Sequence, residues 1–157
     1  MMDQPFKTTI ENLSDLAGYV GKEIGLSEWV ILDQESVNAF GKLTKDEQWI
    51  HTDIEKSKQY SPYKTTIAHG FYILSLASHF AESTIAIKGV KMGVNYGLDK
   101  VRFISGAPVG AKLRARMTLM EYEPQDAGAK YKLNVVFELE GHEKPACVAE
   151  WIGVAYV

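Results

Sequence analysis

The chain has 157 residues, 46% apolar and 24% charged, ordinary values for one globular domain over 1–157 with a core that needs no staples. That composition excludes a disordered or low-complexity chain. A net charge of -3 without a basic cluster excludes the electrostatic footprint of nucleic-acid binding, and the single cysteine, Cys147, fits a reducing compartment.

Met1 to Leu13 carry no apolar run behind a basic start, so no targeting segment is expected and a cytoplasmic protein is. Ile10 to Gly18 places Leu13, Leu16 and Ala17 at helical spacing. Ile24 to Leu32, with Trp29, Val30 and Ile31, predicts a strand. Asp33 is placed to cap a helix in which Val37, Phe40 and Leu43 share a face, and that helix should fail between Gly41 and Thr44. Thr44 to Lys64 reads as an irregular segment holding Asp46, Trp49, His51, Asp53, Tyr60 and Tyr63. Long loops of this kind are usually functional, and the aromatics argue against disorder.

Ile67 to Ile87 is the longest helical candidate, apolar around most of its circumference, as in a buried helix. Polar residues, among them His69, Ser75, Ser78 and Glu82, interrupt it too often for a membrane span. From Gly93 onward the period changes to two. Leu113, Ala115, Met117 and Leu119 alternate with Arg114, Arg116 and Thr118, and Tyr131 to Leu139 alternates likewise. Glu123 to Gly128 and Gly141 to Pro145 fit hairpin connections. The expected class is α+β, an antiparallel sheet against one long buried helix.

Four histidines carry the candidate chemistry. His142 lies in a turn, and His79 sits mid-helix beside Phe80. His51 follows Asp46 by five positions, so a curled loop brings an imidazole and a carboxylate around one water. The plainer alternative has Asp46 capping a turn and His51 on the surface. His69-Gly70 opens the long helix, where unpaired backbone N–H groups meet an incoming oxygen and glycine permits close approach. Ser78 needs a partner if it is buried. Metal ligands are not clustered in the sequence, and no nucleophile elbow or glycine-rich phosphate loop is present. Cys147 reads as core filler. The basic residues Lys88, Lys91, Lys100, Arg102, Arg114 and Arg116 read as a solvated face, available to a polyanionic ligand tail.

Three segments in order, Asp46-Glu47-Gln48-Trp49-Ile50-His51-Thr52-Asp53, Ile67-Ala68-His69-Gly70-Phe71 and Asn95 to Phe103, resemble the MaoC-like dehydratase family, the (R)-specific enoyl-CoA hydratases, from about Leu13 to the C-terminus. The tryptophan-containing first motif is similar to the NodN-like branch. The broader family has Asn-Pro-Leu-His where this chain has Gln48-Trp49-Ile50-His51. The resemblance implies a hot dog fold, a long central helix wrapped by a curved antiparallel sheet, and pairing into a homodimer. It implies Asp46 and His51 as the catalytic dyad, the Gly70 N–H as donor to the thioester oxygen, and Gln48, Trp49, His69 and Ser78 as substrate contacts. The substrate is then an acyl thioester bringing its own coenzyme A, with no further cofactor and no metal. The competing readings are a hot dog thioesterase, for which Glu82 is the only helix carboxylate, and a silent acyl-thioester binding module.

Overall fold

The computed structural model describes residues 3–157. Eight strands form one sheet: β1 (Phe6–Ile10), β2 (Glu23–Leu26), β3 (Val30–Ile31), β4 (Ile85–Ile87), β5 (Met92–Phe103), β6 (Lys112–Gln125), β7 (Gly128–Leu139) and β8 (Cys147–Tyr156). Their spatial order is β4-β1-β2-β6-β7-β8-β5, with β3 paired to β6. Every pairing is antiparallel except β1 with β4, which run parallel. The C-terminal half supplies the four long strands as expected. The N-terminal half contributes three short ones: β1, outside the expected strand, and β2 and β3, into which Ile24 to Leu32 divides at Ser27, whose hydroxyl accepts from the Ala115 N–H.

The helices are α1 (Gln34–Thr44), α2 (Trp49–Thr52), α3 (Ile54–Tyr60), α4 (Gly70–Ser75) and α5 (Ala77–Thr84), with a 3₁₀ turn over Leu13–Tyr19. Asp33 caps α1 by accepting from the Ser36 N–H at 2.7 Å, and Lys45 ends it in the left-handed region, φ 64°. The stretch expected to be irregular therefore contains α2 and α3. Asp53 caps α3 by accepting from the Lys56 N–H at 2.9 Å.

The expected helix over Ile67 to Ile87 is shorter and composite. It starts only at Gly70 because the backbone before it is engaged elsewhere: the Ile67 N–H donates to Ile50 and the Ala68 N–H to Ala107. It jogs at Leu76, and β-branched Ile85 and Ile87 leave it to pair with β1. Nor is it buried all round. Ile73, Ala77, Phe80 and Thr84 form one stripe facing the sheet, while Phe71, Ser75, His79 and Glu82 are exposed. Against that stripe the sheet sets Leu113, Ala115, Met117, Leu119, Val135 and Phe137, each fully buried. Burial of such side chains stabilises by about 1.5–3 kcal/mol each.

Arg114 and Arg116 correct the solvated-face expectation. Both are nearly buried on the outer side of the sheet. Glu138 accepts from both at 2.7 Å, Glu23 accepts from Arg116 at 2.7 Å, and the Arg114 guanidinium lies over the Trp29 ring. Among the described residues no helix is long and apolar enough to cross a membrane.

Candidate active site

Asp46 and His51 come together because the chain reverses between α1 and α2. Lys45 turns it in the left-handed region, and the Gln48 carbonyl accepts the first amide hydrogen bond of α2, from His51, at 3.0 Å. The Gln34 side chain ties α2 back to α1: its amide donates to the His51 carbonyl at 2.7 Å, and its oxygen accepts from the Thr66 hydroxyl. The Asp46 side chain is exposed, and His51 is 9% exposed.

The His51 ring is fixed in tautomer. Its Nδ1 lies 2.7 Å from the Ile67 carbonyl, which can only accept, so Nδ1 carries the proton and Nε2 the lone pair. Burial lowers its pKa below the usual 6.5, and the neighbouring His69 pushes the same way; the Ile67 carbonyl and Asp46 oppose this without reversing it. His51 is accordingly a neutral base at pH 7.

His69 is the third member of the group. Its ligating atom lies within 4.8 Å of those of Asp46 and His51. The chain thus clusters a carboxylate and two imidazoles that sequence spacing left apart. The arrangement is poor for a metal ion. The two rings are stacked, centroids 3.8 Å apart and 25° between planes, and ring lone pairs lie in the ring planes, so stacked rings direct them side by side rather than at one point. A separation of up to 4.8 Å between acid and base instead suits one bridging water.

His69 is 2% exposed, and its Nε2–H donates to the Asp46 backbone carbonyl at 2.8 Å. Gly70 follows as the first residue of α4, its N–H without an intrahelical partner. A Cβ there would lie 2.8 Å from the Phe103 ring, which would have to shift to admit it. Gln48 is exposed. Trp49 is half-buried, with the Lys56 ammonium 5.2 Å from its ring.

Ser78 stands two helical turns beyond Gly70, about 12 Å along the axis. It accepts from the Asn95 amide at 3.4 Å rather than touching the dyad. The helix runs alongside β5, with Gly70 against Phe103, and Leu74, Ser78, Asn95 and Leu98 lining one cavity of about 260 Å³. That cavity shares Ser78, Asn95 and Trp151 with a second of about 340 Å³, walled by Ile24, Leu119, Tyr131 and Leu133. The two cavities thus run from Leu74, one helical turn beyond Gly70, past Ser78 into the space under the sheet. Lys100 and Arg102 share a face, but the outer one: Lys100 meets Glu150 at 3.5 Å, while Phe103 faces the helix.

Sequence reasoning missed Gly41. A Cβ there would lie 2.8 Å from the Asp46 carbonyl and 3.3 Å from His69 Nε2, so its absence lets α1 close on the site. Gln34 was missed as well. Its only signal was a polar residue one position after a helix cap.

A helix laid across a curved, largely antiparallel sheet, with an Asp–His pair at the helix start, defines a hot dog enzyme of the hydratase and dehydratase class. The chain belongs to the MaoC-like family: residues 15–138 match its MaoC like domain. It is 45% identical over 150 residues to 3-hydroxyacyl-thioester dehydratase Z of Mycobacterium tuberculosis, covering 95% of this chain and 98% of that one. It is 38% identical over 146 residues to nodulation protein N of Rhizobium meliloti, covering 92% and 91%. The fold is shared with the (R)-hydratase from A. caviae involved in PHA biosynthesis, at TM-score 0.70, 19% identity and coverage of 85% and 94%.

Proposed function

We propose that this chain adds water reversibly and syn to trans-2-enoyl-CoA, giving (3R)-hydroxyacyl-CoA, and catalyses the reverse dehydration. The observation that carries the reading is the Asp46–His51 pair clustered with His69, the cap of the helix that Gly70 opens, with the His51 lone pair on Nε2. The name of the mycobacterial relative, a 3-hydroxyacyl-thioester dehydratase, supports it.

In hydration, His51 Nε2 takes a proton from water as the water oxygen bonds to C3. The π electrons move through C2 and C1 onto the thioester oxygen, forming an enolate. The Gly70 N–H donates to that oxygen, a contribution of about 3 kcal/mol by analogy with oxyanion holes. The enolate then collapses and C2 takes the proton back from Nε2. One water has been added and the base is restored. A single base serves C2 and C3 from one side, so addition is syn. Asp46 holds the water's second hydrogen and stabilises the transient imidazolium. The acyl chain lies in the two cavities that share Ser78, Asn95 and Trp151, while Gln48 and Trp49 flank the thioester. The substrate brings its coenzyme A, and no other cofactor or metal enters.

A homodimer and a cytoplasmic location belong to the same reading. Edge strand β5 leaves Met92, Val94, Leu98 and Phe103 at least 41% exposed beside Phe71 at 70%, a surface that a second copy covers with two-fold symmetry. Sedimentation at micromolar concentration checks it, and a monomer refutes it. The lone buried thiol supports the reducing compartment.

The test of the activity is loss of enoyl-thioester absorbance with crotonyl-CoA, across a chain-length series. An unchanged absorbance overturns the hydratase reading. Thiol release marks a thioesterase, and binding without turnover marks a silent module.

A further inference from the structure

We propose that His69 is a positioning residue, which holds Asp46 by its backbone and sets the plane and dryness of the His51 ring while touching no substrate. The inference rests on the hydratase reading.

Three contacts carry it. The Nε2–H of His69 donates to the Asp46 carbonyl, twenty-three positions away, so it pins the loop that presents the carboxylate. One face of its ring stacks on His51 at 3.8 Å. The Phe40 ring packs on it as well, tilted, at 5.1 Å. Gly41 makes room for this, since a Cβ at that position would press on both the Asp46 carbonyl and Nε2.

The remaining nitrogen shows that packing is not the reason for a histidine. Nδ1 of His69 is buried and without a hydrogen-bond partner among the described residues. An unpaired buried polar atom destabilises the fold. Phenylalanine would fill the same space without that orphan. What phenylalanine lacks is the Nε2–H that reaches Asp46.

The groups facing His51 are Asp46 from the loop after α1, His69 from the turn before α4 and the Ile67 carbonyl. Of these, only His69 covers the flat face of the ring. Removing the ring admits water there.

Two variants separate the two duties. His69→Phe keeps a stacking ring and loses the donor. Its melting temperature should match or exceed that of the unmutated protein, while kcat for crotonyl-CoA falls about 10- to 100-fold, as for a misplaced catalytic group, and KM stays within about twofold. The acid limb of its kcat/KM profile should rise only slightly, because the phenyl ring keeps the burial and only the smaller push from the His69 imidazole is lost. His69→Gln keeps an amide donor and loses the ring. Its acid limb should rise toward the ordinary histidine value, because the burial that lowers the His51 pKa is relieved.

A His69→Phe protein with unmutated kcat overturns the proposal, as does a His69→Gln protein with an unmoved limb. If neither variant folds, Gly41→Ala carries the test by pressing on the same hydrogen bond from α1. There a kcat loss with intact folding supports the proposal, and an unchanged kcat overturns it. An unmutated protein without turnover refutes the hydratase reading instead, a result seen before any variant is made.

Discussion

Gly70→Ala tests whether the start of the helix is a working part of the site. The added Cβ would lie 2.8 Å from Phe103 Cδ1 and 2.9 Å from Cε1, about 0.6 Å short of ordinary contact. The Phe103 ring is 47% exposed and meets Phe71, itself 70% exposed, edge to face, so it can swing outward. The packing cost then falls at the low end of overpacking, about 1 kcal/mol. Alanine's better helix propensity offsets up to about 1 kcal/mol of it. The melting temperature should therefore stay within about 3 °C of the unmutated value. Turnover should respond more. Complete loss of an oxyanion donor costs roughly 10²–10³ in kcat, so an N–H displaced by a fraction of an ångström should cost about 10- to 100-fold. The assay is crotonyl-CoA hydration beside a thermal melt. Adding Phe103→Leu should recover most of the loss, because the smaller side chain yields the space. Full turnover in Gly70→Ala refutes the assignment of this N–H to the reacting oxygen. Failure of the rescue refutes the packing account.

Asp46→Asn and His51→Ala should each lower kcat by roughly 10²–10⁴ with little change in KM, and the double variant should be scarcely slower than the worse single one. Glu138 governs acid stability. Burial alone would raise its pKa, but the hydrogen bonds from Arg116 and Arg114 outweigh burial and hold it below the usual 4.5. A lowered carboxylate pKa contributes stability above 4.5 that is lost as pH falls below it, so urea midpoints should drop in that window, and Glu138→Gln should flatten the drop. Burial pushes the Cys147 thiol up to about 11, so a thiol reagent at pH 8 should label it only after denaturant is added.

Local rules were sufficient wherever neighbours along the chain decide the outcome. Asp33 is a cap because Ser36 stands three residues on, and Leu113 to Leu119 alternates because one face meets a core. They failed where distant partners decide. Ile85 and Ile87 look like the end of a helix, yet β1 offers them hydrogen bonds that only the completed fold provides. Arg114 and Arg116 look solvated until Glu138 and Glu23 arrive from other strands. Asp46 and His51 were legible as a pair because only five positions separate them. His69 was legible as a motif but not in its orientation, because its partner is a backbone carbonyl, and every residue has one.

The parallel pairing of β1 with β4 orders the folding of the chain. The β6–β7 hairpin closes through Asp126 and Ala127 and requires contacts between near neighbours, which form early at little entropic cost. Thr8 instead lies against Ile85, and Lys88 bonds both the Ile10 carbonyl and Glu11, so the first strand waits for a segment synthesised long after it. On the ribosome it emerges well before β4 and docks late, held between β2 and β4 only once α5 has delivered β4 to the sheet. Its amides should be among the last to gain protection from hydrogen exchange during refolding and among the first to lose it on unfolding.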